Sequence, residues 1–511
     1  MKRIEKYHFL TLCLFVFHAC LTCLWLKKNI FTPYWDEARH LTVAINYFRN
    51  FPSLFINYSD VGFNLGHSFV YGPLFYLTSV FLKLLLNIPY DCLALTNILF
   101  TGLLFFSVFR IGETISGKRA GFFAVLILSF YPIIYGMSRK FMLDYSLTAV
   151  LCLSVYLLIK SDYFRNIKYV IFFGLSFAAG LLIKLSFFLV LAGPLFYLTY
   201  LSLKKNPRIF IFNYIVFIII GLGIPLAWYI PGKTGLPEFL IVLRDVYEYL
   251  PGPDFLRFSE LGFNNLVQQI SIFGLIIFVT SLWRLVYFPA KDRKFNIVFV
   301  WFIVPFFAFL FYHGYSRYYM PCLPAIALIS SVCVSDLWEK KYIKVSFFTA
   351  VLFMLINFFT LSFGVLNDLP RFKRIFPTPG NLAWIIHSPN KLNWRAEDVL
   401  EFIRRDSGGK DAGISLLADT GFVNNETYAY YSYKRSFNFK IPRSIESDER
   451  ECFDSEYLVT LKNLRSWHWN MRRGDVLNLN ELLINKYNDR FSLISRFDMP
   501  GENIIYVYKK K

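Results

Sequence analysis

The sequence predicts a polytopic all-α membrane domain followed by a soluble C-terminal domain of α/β or α+β type. Three observations carry that class. Of 511 residues, 56% are hydrophobic and 20% aromatic while only 17% are charged, well under the roughly 25% usual in soluble domains. Apolar runs of about span length recur through residues 1–366. At Asn367-Asp368-Leu369-Pro370 the composition shifts abruptly to a polar, charged chain, residues 367–511, long enough for a core of its own. With 58 Phe and 33 Tyr, the apolar surface is too large to stay solvated, which excludes a disordered or low-complexity chain.

Twelve runs are long and apolar enough to consider: 8–26, 68–88, 91–111, 119–137, 144–160, 169–184, 186–203, 209–230, 265–286, 295–313, 318–335 and 344–366. The first follows Met1-Lys2-Arg3 and has no small-residue cleavage site before Lys27-Lys28, so it reads as a retained span and not a removed signal peptide. The run at 68–88 differs, with Gly72-Pro73 near its start and Lys83 inside. Charge decides its place. If it lies in the interface, the loops on the N-terminal side hold 19 basic against 6 acidic residues, and the opposite side of the membrane domain holds 12 against 10. That is the asymmetry of the positive-inside rule, and a spanning 68–88 would move 16 of the 19 basic residues across. The expectation is therefore about eleven transmembrane helices, a cytoplasmic N-terminus, and residues 367–511 on the far side.

The net charge of +19 does not point to nucleic acid. The C-terminal 145 residues are nearly balanced, with 23 basic and 19 acidic side chains, and the excess sits in short clusters between spans, where it orients them. The eight cysteines show no metal-ligand spacing, and only Cys92 and Cys452 are expected to face an oxidising compartment.

Two loops on the far side are long, 27–90 and 231–264, which marks them as functional segments. In the C-terminal domain AEDVLEFIRR (396–405) has helical period, GISLLAD (413–419) reads as a short buried strand and ENIIYVYK (502–509) as a terminal strand. YAYYSYKRSFNF (428–439) reads as a strand packed on a core, in preference to a glycan-stacking surface.

The chemistry-bearing residues fall at the predicted far-side membrane face. Asp36 and Glu37 follow Tyr34-Trp35, and the apolar residues at 41, 44, 45 and 48 give the next stretch a helical face. The plain reading of the two acids is an N-cap and a first-turn charge. SRKFMLD (138–144) brings Arg139, Lys140 and Asp144 within seven residues, GLLIKLSF (180–187) carries Lys184, and HGYSRYYMPCLP (313–324) carries His313 and Arg317 among tyrosines. Loop solvation, snorkelling and an aromatic belt explain each of these singly. Together they put carboxylates and several cations on one face, and ionisable groups at membrane depth are costly and tend to be functional. Cations there suit a lipid-anchored phosphate, with Arg offering a bidentate fork and Lys a point charge.

These residues and their order resemble the GT-C glycosyltransferases of the protein O-mannosyltransferase and lipid A aminoarabinose transferase type. The motifs are the Asp36-Glu37 pair, YGPLFYL (71–77), the run GKRAGFFAVLILSFYP…SR…LD from 117 to 144, GLLIKLSF, and SRYYMPCLPAIAL (316–328). The resemblance implies a catalytic membrane domain over 1–366 with juxtamembrane helices in the first outer loop. Tyr71-Gly72 departs from the family pattern, which often has a basic residue and a first Pro there; His67 is the nearby substitute. By resemblance, Asp36 is the catalytic carboxylate acting on the acceptor nucleophile, and Asp144 a second functional acid. Lys184, Arg139 and Arg317, with Glu37 and His67, bind substrate or its phosphate. A divalent cation, Mg²⁺ or Mn²⁺, is chemically plausible, with Asp36 and Glu37 as its candidate ligands.

The implied activity is transfer of a sugar from a polyprenyl-phosphate donor to a lipid, glycan or protein acceptor, with inversion, at the outer face of a bacterial or archaeal cytoplasmic membrane. Membrane lipids are the surrounding partners and no nucleic acid is expected. The alternatives are a transporter or flippase of a lipid-linked saccharide, a polysaccharide polymerase or ligase, and a non-catalytic assembly protein. A transporter is expected to hold its charges near the bilayer midplane on broken helices.

Overall fold

The computed structural model describes residues 6–51, 71–205, 207–230, 255–287, 293–310, 316–366, 382–441, 449–461, 480–500 and 503–511. His67, most of the loop at 231–264, the tyrosines and His313 just ahead of Ser316, and the composition break at 367–370 lie outside the described residues. The contact pattern divides the chain into two compact units. One comprises Met1–Leu26, Asn50–Asn87 and Ala94–Ser388; the other comprises Lys27–Arg49, Ile88–Leu93 and Pro389–Lys511.

The first unit is a helical membrane unit. Its helices are α1 (Lys6–Lys28), which enters from the N-terminus, then α3 (Leu74–Leu86), α4 (Asn97–Ser116), α5 (Lys118–Ser129), α6 (Pro132–Met137), α7 (Leu143–Lys160), α8 (Ile167–Leu181) and α9 (Phe187–Lys205). They continue with α10 (Pro207–Tyr229), α11 (Phe255–Tyr287), α12 (Arg293–Leu310), α13 (Leu323–Asp336) and α14 (Lys341–Phe363). Helix occupies each of the eleven expected spans. Eight described segments are long and apolar enough to cross a bilayer, and Ile167–Leu181 and Lys294–Phe307 are shorter apolar helices. The segment at 119–137 is broken where Tyr131 turns extended (ψ 125°) ahead of Pro132, as the residue before a proline tends to do. Helix α3 has 13 residues and stops at Asn87 in the left-handed conformation. It is about 20 Å long, too short to span.

Burial sorts the spans. The apolar windows of Leu143–Lys160 and Arg317–Asp336 are 89% and 94% buried, against 17% in α1 and 28% in α10. So α7 and α13 form the centre, while α10 turns Ile209, Ile211, Phe212, Ile215 and Ile219 outward, as a lipid-facing helix does. Helix α4 packs on α5 and α7, α13 on α5 and α11, α8 on α7 and α10, and α9 on α12.

The second unit is α/β. Its sheet runs β1 (Ile414–Leu416), β2 (Tyr457–Leu461), β4 (Ile504–Lys510), β3 (Phe491–Asp498). The β1–β2 pair is parallel and the other two are antiparallel, with a register shift between Leu493 and Ser495. Helices α15 (Ala396–Asp406), α16 (Asn425–Lys434) and α17 (Glu449–Asp454) complete it. Val399, Leu400 and Ile403 of α15 meet Ile414, Leu416, Val459, Ile505 and Val507 in one core. The helix over 396–405 and the strands within 413–419 and 502–509 form as the sequence predicts.

The expectation for 428–439 is corrected: the segment is helical through Lys434, not a strand. Asn424 caps it, its side-chain oxygen accepting from Thr427 N at 2.9 Å. Tyr428, Tyr430 and Ser432 are all buried, a spacing of two that imitates a strand. The cause is tertiary, because α16 packs on α15 and also on α2 (Trp35–Arg49). All eight cysteines are free thiols, Cys92 and Cys452 included.

Candidate active site

In the membrane unit three of the sequence-predicted residues meet. Asp144 lies in the first turn of α7, where the helix N-terminus favours a negative charge. Lys184 occupies the short break between α8 and α9, and Arg317 lies in a 3₁₀ segment (Ser316–Cys322) ahead of α13. Lys184 Nζ donates to Asp144 Oδ1 at 3.0 Å, and Arg317 Nε stands 3.4 Å from Oδ2, close enough for an ion pair but without hydrogen-bond alignment. The side chains of Asp144, Lys184 and Arg317 are only 5%, 15% and 7% exposed. Water therefore screens the trio little, and its two cations outnumber its one carboxylate.

The break that carries Lys184 is held by the chain at 71–74. Tyr71 forms a β-bridge with Lys184, and Leu74 N donates to Leu182 O at 3.0 Å. Gly72 is what allows this approach: a Cβ there would stand 2.0 Å from Leu182 O, closer than any real side chain tolerates. The departure at Tyr71-Gly72 thus has a local cause. The Tyr71 ring lies 5.9 Å from Lys184 Nζ. Tyr318 sits nearer, its ring 4.7 Å from Lys184 Nζ and 5.5 Å from Arg317 Cζ, and Trp384 lies 5.7 Å from Arg317 Cζ. Sequence reasoning assigned the tyrosines to a belt and passed over Trp384 altogether. The signal for Tyr318 was its place beside Arg317; Trp384 had none.

Arg139 stands apart from the trio, with no ion pair or hydrogen bond to it. Its guanidinium is buried in an aromatic cage, 5.4 to 5.6 Å from the rings of Trp25, Tyr135, Phe358 and Phe363. Asn97 Nδ2 fixes the turn, donating to Lys140 O at 2.7 Å and Met137 O at 3.3 Å. Nearby, Trp25 Nε1 donates to His387 O at 3.2 Å. Burial first, then Lys140 and Arg139, push the His387 imidazole down to about 3, so it is neutral at physiological pH and adds no charge to this cationic region.

Asp36 and Glu37 belong to the second unit. Both lie within the first turn of α2, so neither is the cap that the plain reading supposed. Trp35 N donates to Gly421 O at 3.2 Å, and a Cβ on Gly421 would press to 2.3 Å from the Tyr34 ring. The helix buries Ala38, Leu41, Ala44 and Ile45 and packs on α16. Close by, Arg49 donates to Tyr433 O, and Asp91 accepts from the Tyr430 hydroxyl and from Lys434 Nζ at 2.8 Å. Asp36, Asp419 and Arg39 all act on Glu426, whose carboxyl is raised above its ordinary range, mainly by burial. Among the described residues, no three His, Cys, Asp or Glu side chains converge as metal ligands.

A family model for dolichyl-phosphate-mannose-protein mannosyltransferase matches residues 73–228, a stretch that includes Asp144 and Lys184. ArnT from Cupriavidus metallidurans bound to undecaprenyl phosphate is similar in structure, with a TM-score of 0.60 at 11% identity over 97% of each chain. The Archaeoglobus fulgidus oligosaccharyltransferase, tethered with an acceptor peptide containing the NVT sequon, superposes with a TM-score of 0.52 at 12% identity, covering 89% of this chain and 69% of that one. No curated protein sequence matches. Helical architecture, apolar spans and these likenesses together define an integral multi-pass membrane protein that shares the fold of ArnT and the oligosaccharyltransferase, with the family match falling on the stretch that holds Asp144 and Lys184.

Proposed function

We propose that this protein transfers a sugar from a polyprenyl-phosphate donor to an acceptor at the extracytoplasmic face of the membrane, with inversion. The observation that carries the reading is the buried trio of Asp144, Lys184 and Arg317. Two cations at one carboxylate, set at helix ends and not in mid-span, suit a lipid phosphate whose headgroup lies at the membrane face. A transporter's charges belong nearer the midplane. ArnT, similar in fold, is described with undecaprenyl phosphate bound.

In this mechanism Lys184 and Arg317 hold the donor phosphate and stabilise the charge that grows on it as the glycosidic bond breaks. Tyr71 and Tyr318 wall the Lys184 ammonium, and Asp144 orients both cations. Asp36 accepts the proton of the acceptor nucleophile, a contribution of about 10²–10⁴-fold, and a single displacement through an oxocarbenium-like state inverts the anomeric centre. Glu37, Arg139 and His67 take supporting roles in binding substrate. Asp36 and Glu37 are the residues that would hold any Mg²⁺ or Mn²⁺, and a bound cation would supply Lewis-acid stabilisation of a phosphate. The acceptor is a lipid, glycan or protein.

The test is mass spectrometry of polyprenyl-phosphate lipids from source cells that carry the native protein or Asp36→Asn. Accumulation of one polyprenyl-phosphate sugar in the variant, with the protein still membrane-inserted, is the expected result and names the donor. An unchanged pool, with donor synthesis verified, sinks the reading.

A further inference from the structure

The C-terminal unit has a basic groove that the transfer mechanism does not use. It lies at the C-terminal end of α15, is a shallow, solvent-open depression of about 490 Å³, and is lined by Glu401, Arg404, Arg405 and Arg435, with Phe437 and the Gly408-Gly409 turn. That volume falls in the range of small-ligand sites. Three arginines face one glutamate.

The ordinary explanation for basic residues in a last helical turn is that they satisfy the terminal carbonyls and the helix dipole. Here the carbonyls are already satisfied. Gly409 N donates to Arg404 O at 2.9 Å, Gly408 N to Arg405 O at 3.1 Å and Ser407 N to Ile403 O at 2.9 Å. Both glycines hold positive φ, 65° and 76°, and nothing lies within 4 Å of where their Cβ atoms would be, so the turn closes the helix and leaves the groove open beside it. The arginine side chains are thus released from capping.

Their partners divide them. Arg435 is held by Glu397 and stands 3.8 Å from Glu401, and Arg405 reaches Glu401 at 3.9 Å. Arg404 has no carboxylate partner among the described residues. It lies on Phe437 instead, 4.7 Å from Cζ to the ring centre. A guanidinium held over an aromatic ring still offers N–H groups to an oxyanion, and Phe437 adds an apolar ring to the lining.

We infer that this groove binds an anionic saccharide, a sugar bearing a carboxylate or phosphate, with Arg404 as the principal oxyanion contact and Arg405 and Arg435 adding positive field. The Phe437 ring in the lining gives a pyranose an apolar contact beside the arginines, which a bare inorganic anion does not exploit. The inference goes beyond sugar transfer in the membrane unit and is tested without turnover.

The experiment is isothermal titration of the full-length chain, purified in neutral detergent, with tetragalacturonate, maltotetraose and inorganic phosphate. It is repeated for Arg404→Ala, for Arg404→Ala/Arg405→Ala, and for Lys410→Ala as a charge-removal control. Arg404 and Arg405 are exposed, so the variants keep the core, and an unchanged melting curve verifies this. The expected result is binding of tetragalacturonate alone, weakened roughly tenfold or more in the arginine variants by loss of charged hydrogen bonds and little changed in Lys410→Ala. Absence of tetragalacturonate binding overturns the inference, as does equal binding in the arginine variants. Equal affinity for phosphate would reduce the groove to a plain anion site, and equal affinity for maltotetraose would remove the role of charge. Co-sedimentation with phosphatidylglycerol vesicles that is lost in Arg404→Ala, without saccharide binding, would assign the surface to membrane lipid and overturn the inference too.

Discussion

The Asp144 trio in the membrane unit and the Arg435 cluster in the C-terminal unit use the same charges in opposite settings. In both, carboxylates and cations meet at helix ends. Asp144 and Arg317 are 5% and 7% exposed, whereas Arg435 is 49% and Glu401 39% exposed. Removing one partner of a buried group leaves an uncompensated charge, at a cost of about 3–5 kcal/mol. An exposed pair is screened by water and salt and contributes about 0–1 kcal/mol. Proximity alone does not say which charges matter; the medium around them does.

The largest expected effect tests that contrast directly. Asp144→Asn, which leaves the buried Lys184 and Arg317 facing each other without their shared carboxylate, is expected to lower the stability of the detergent-solubilised protein by several kcal/mol, about 3–5, and to abolish transfer. Adding Lys184→Met, which removes the repulsion between the two buried cations, is expected to recover part of the stability but none of the activity, read by thermal unfolding and by the lipid assay. Recovery of transfer in the double variant would make the trio a structural device only.

Next is Gly72→Ala. Its Cβ would meet Leu182 O, so the 71–74 segment must move off the Lys184 break. Overpacking of this kind costs about 1–3 kcal/mol. A fall in donor affinity with the melting temperature only modestly changed is the expected pattern, and unchanged donor binding would break the link between Gly72 and Lys184.

A smaller effect concerns pH. Burial, with Asp36 and Asp419 acting in the same sense against Arg39, raises the Glu426 carboxyl in the folded state. A raised pKa means that the folded chain holds the proton more tightly than the unfolded one. The stability this contributes is full below the ordinary value of 4.5 and is lost as pH rises through the raised folded value. Glu426→Gln is expected to flatten the stability profile above pH 4.5, measured by denaturation across pH; an unchanged slope would reject the assignment.

Smallest is Glu401→Gln, which touches only the exposed Arg405 and Arg435 contacts. It is expected to change stability by no more than about 1 kcal/mol, and 0.5 M salt is expected to erase that difference. A salt-resistant loss of several kcal/mol would erase the contrast between the two regions.

Much of the fold was legible because membrane segments announce themselves locally. Length, apolarity and basic flanks are properties of a run of residues, and the short α3 was set apart by Gly72-Pro73 and the charge balance. Residues 428–439 were misread for the converse reason. Their alternation comes from two different neighbours, α2 and α15, and no neighbour is visible in a local pattern. The site divides the same way. Asp144, Lys184 and Arg317 were each noticed as ionisable groups at predicted helix ends, a signal that the bilayer's low polarity makes informative.

By itself, the sequence determined that this chain is a multi-pass membrane protein with a C-terminal unit of α/β or α+β type, because burial of apolar surface is set by composition and periodicity. Only the tertiary structure decided which charges share a carboxylate. It joined Lys184 and Arg317 on Asp144 across helices far apart in the chain, and it enclosed Arg139 in four aromatic rings. It also set Asp36 in the first turn of α2 beside Glu37 and not at the cap, on a helix that packs against α16. Such pairings depend on distances between distant segments, and those are fixed by packing.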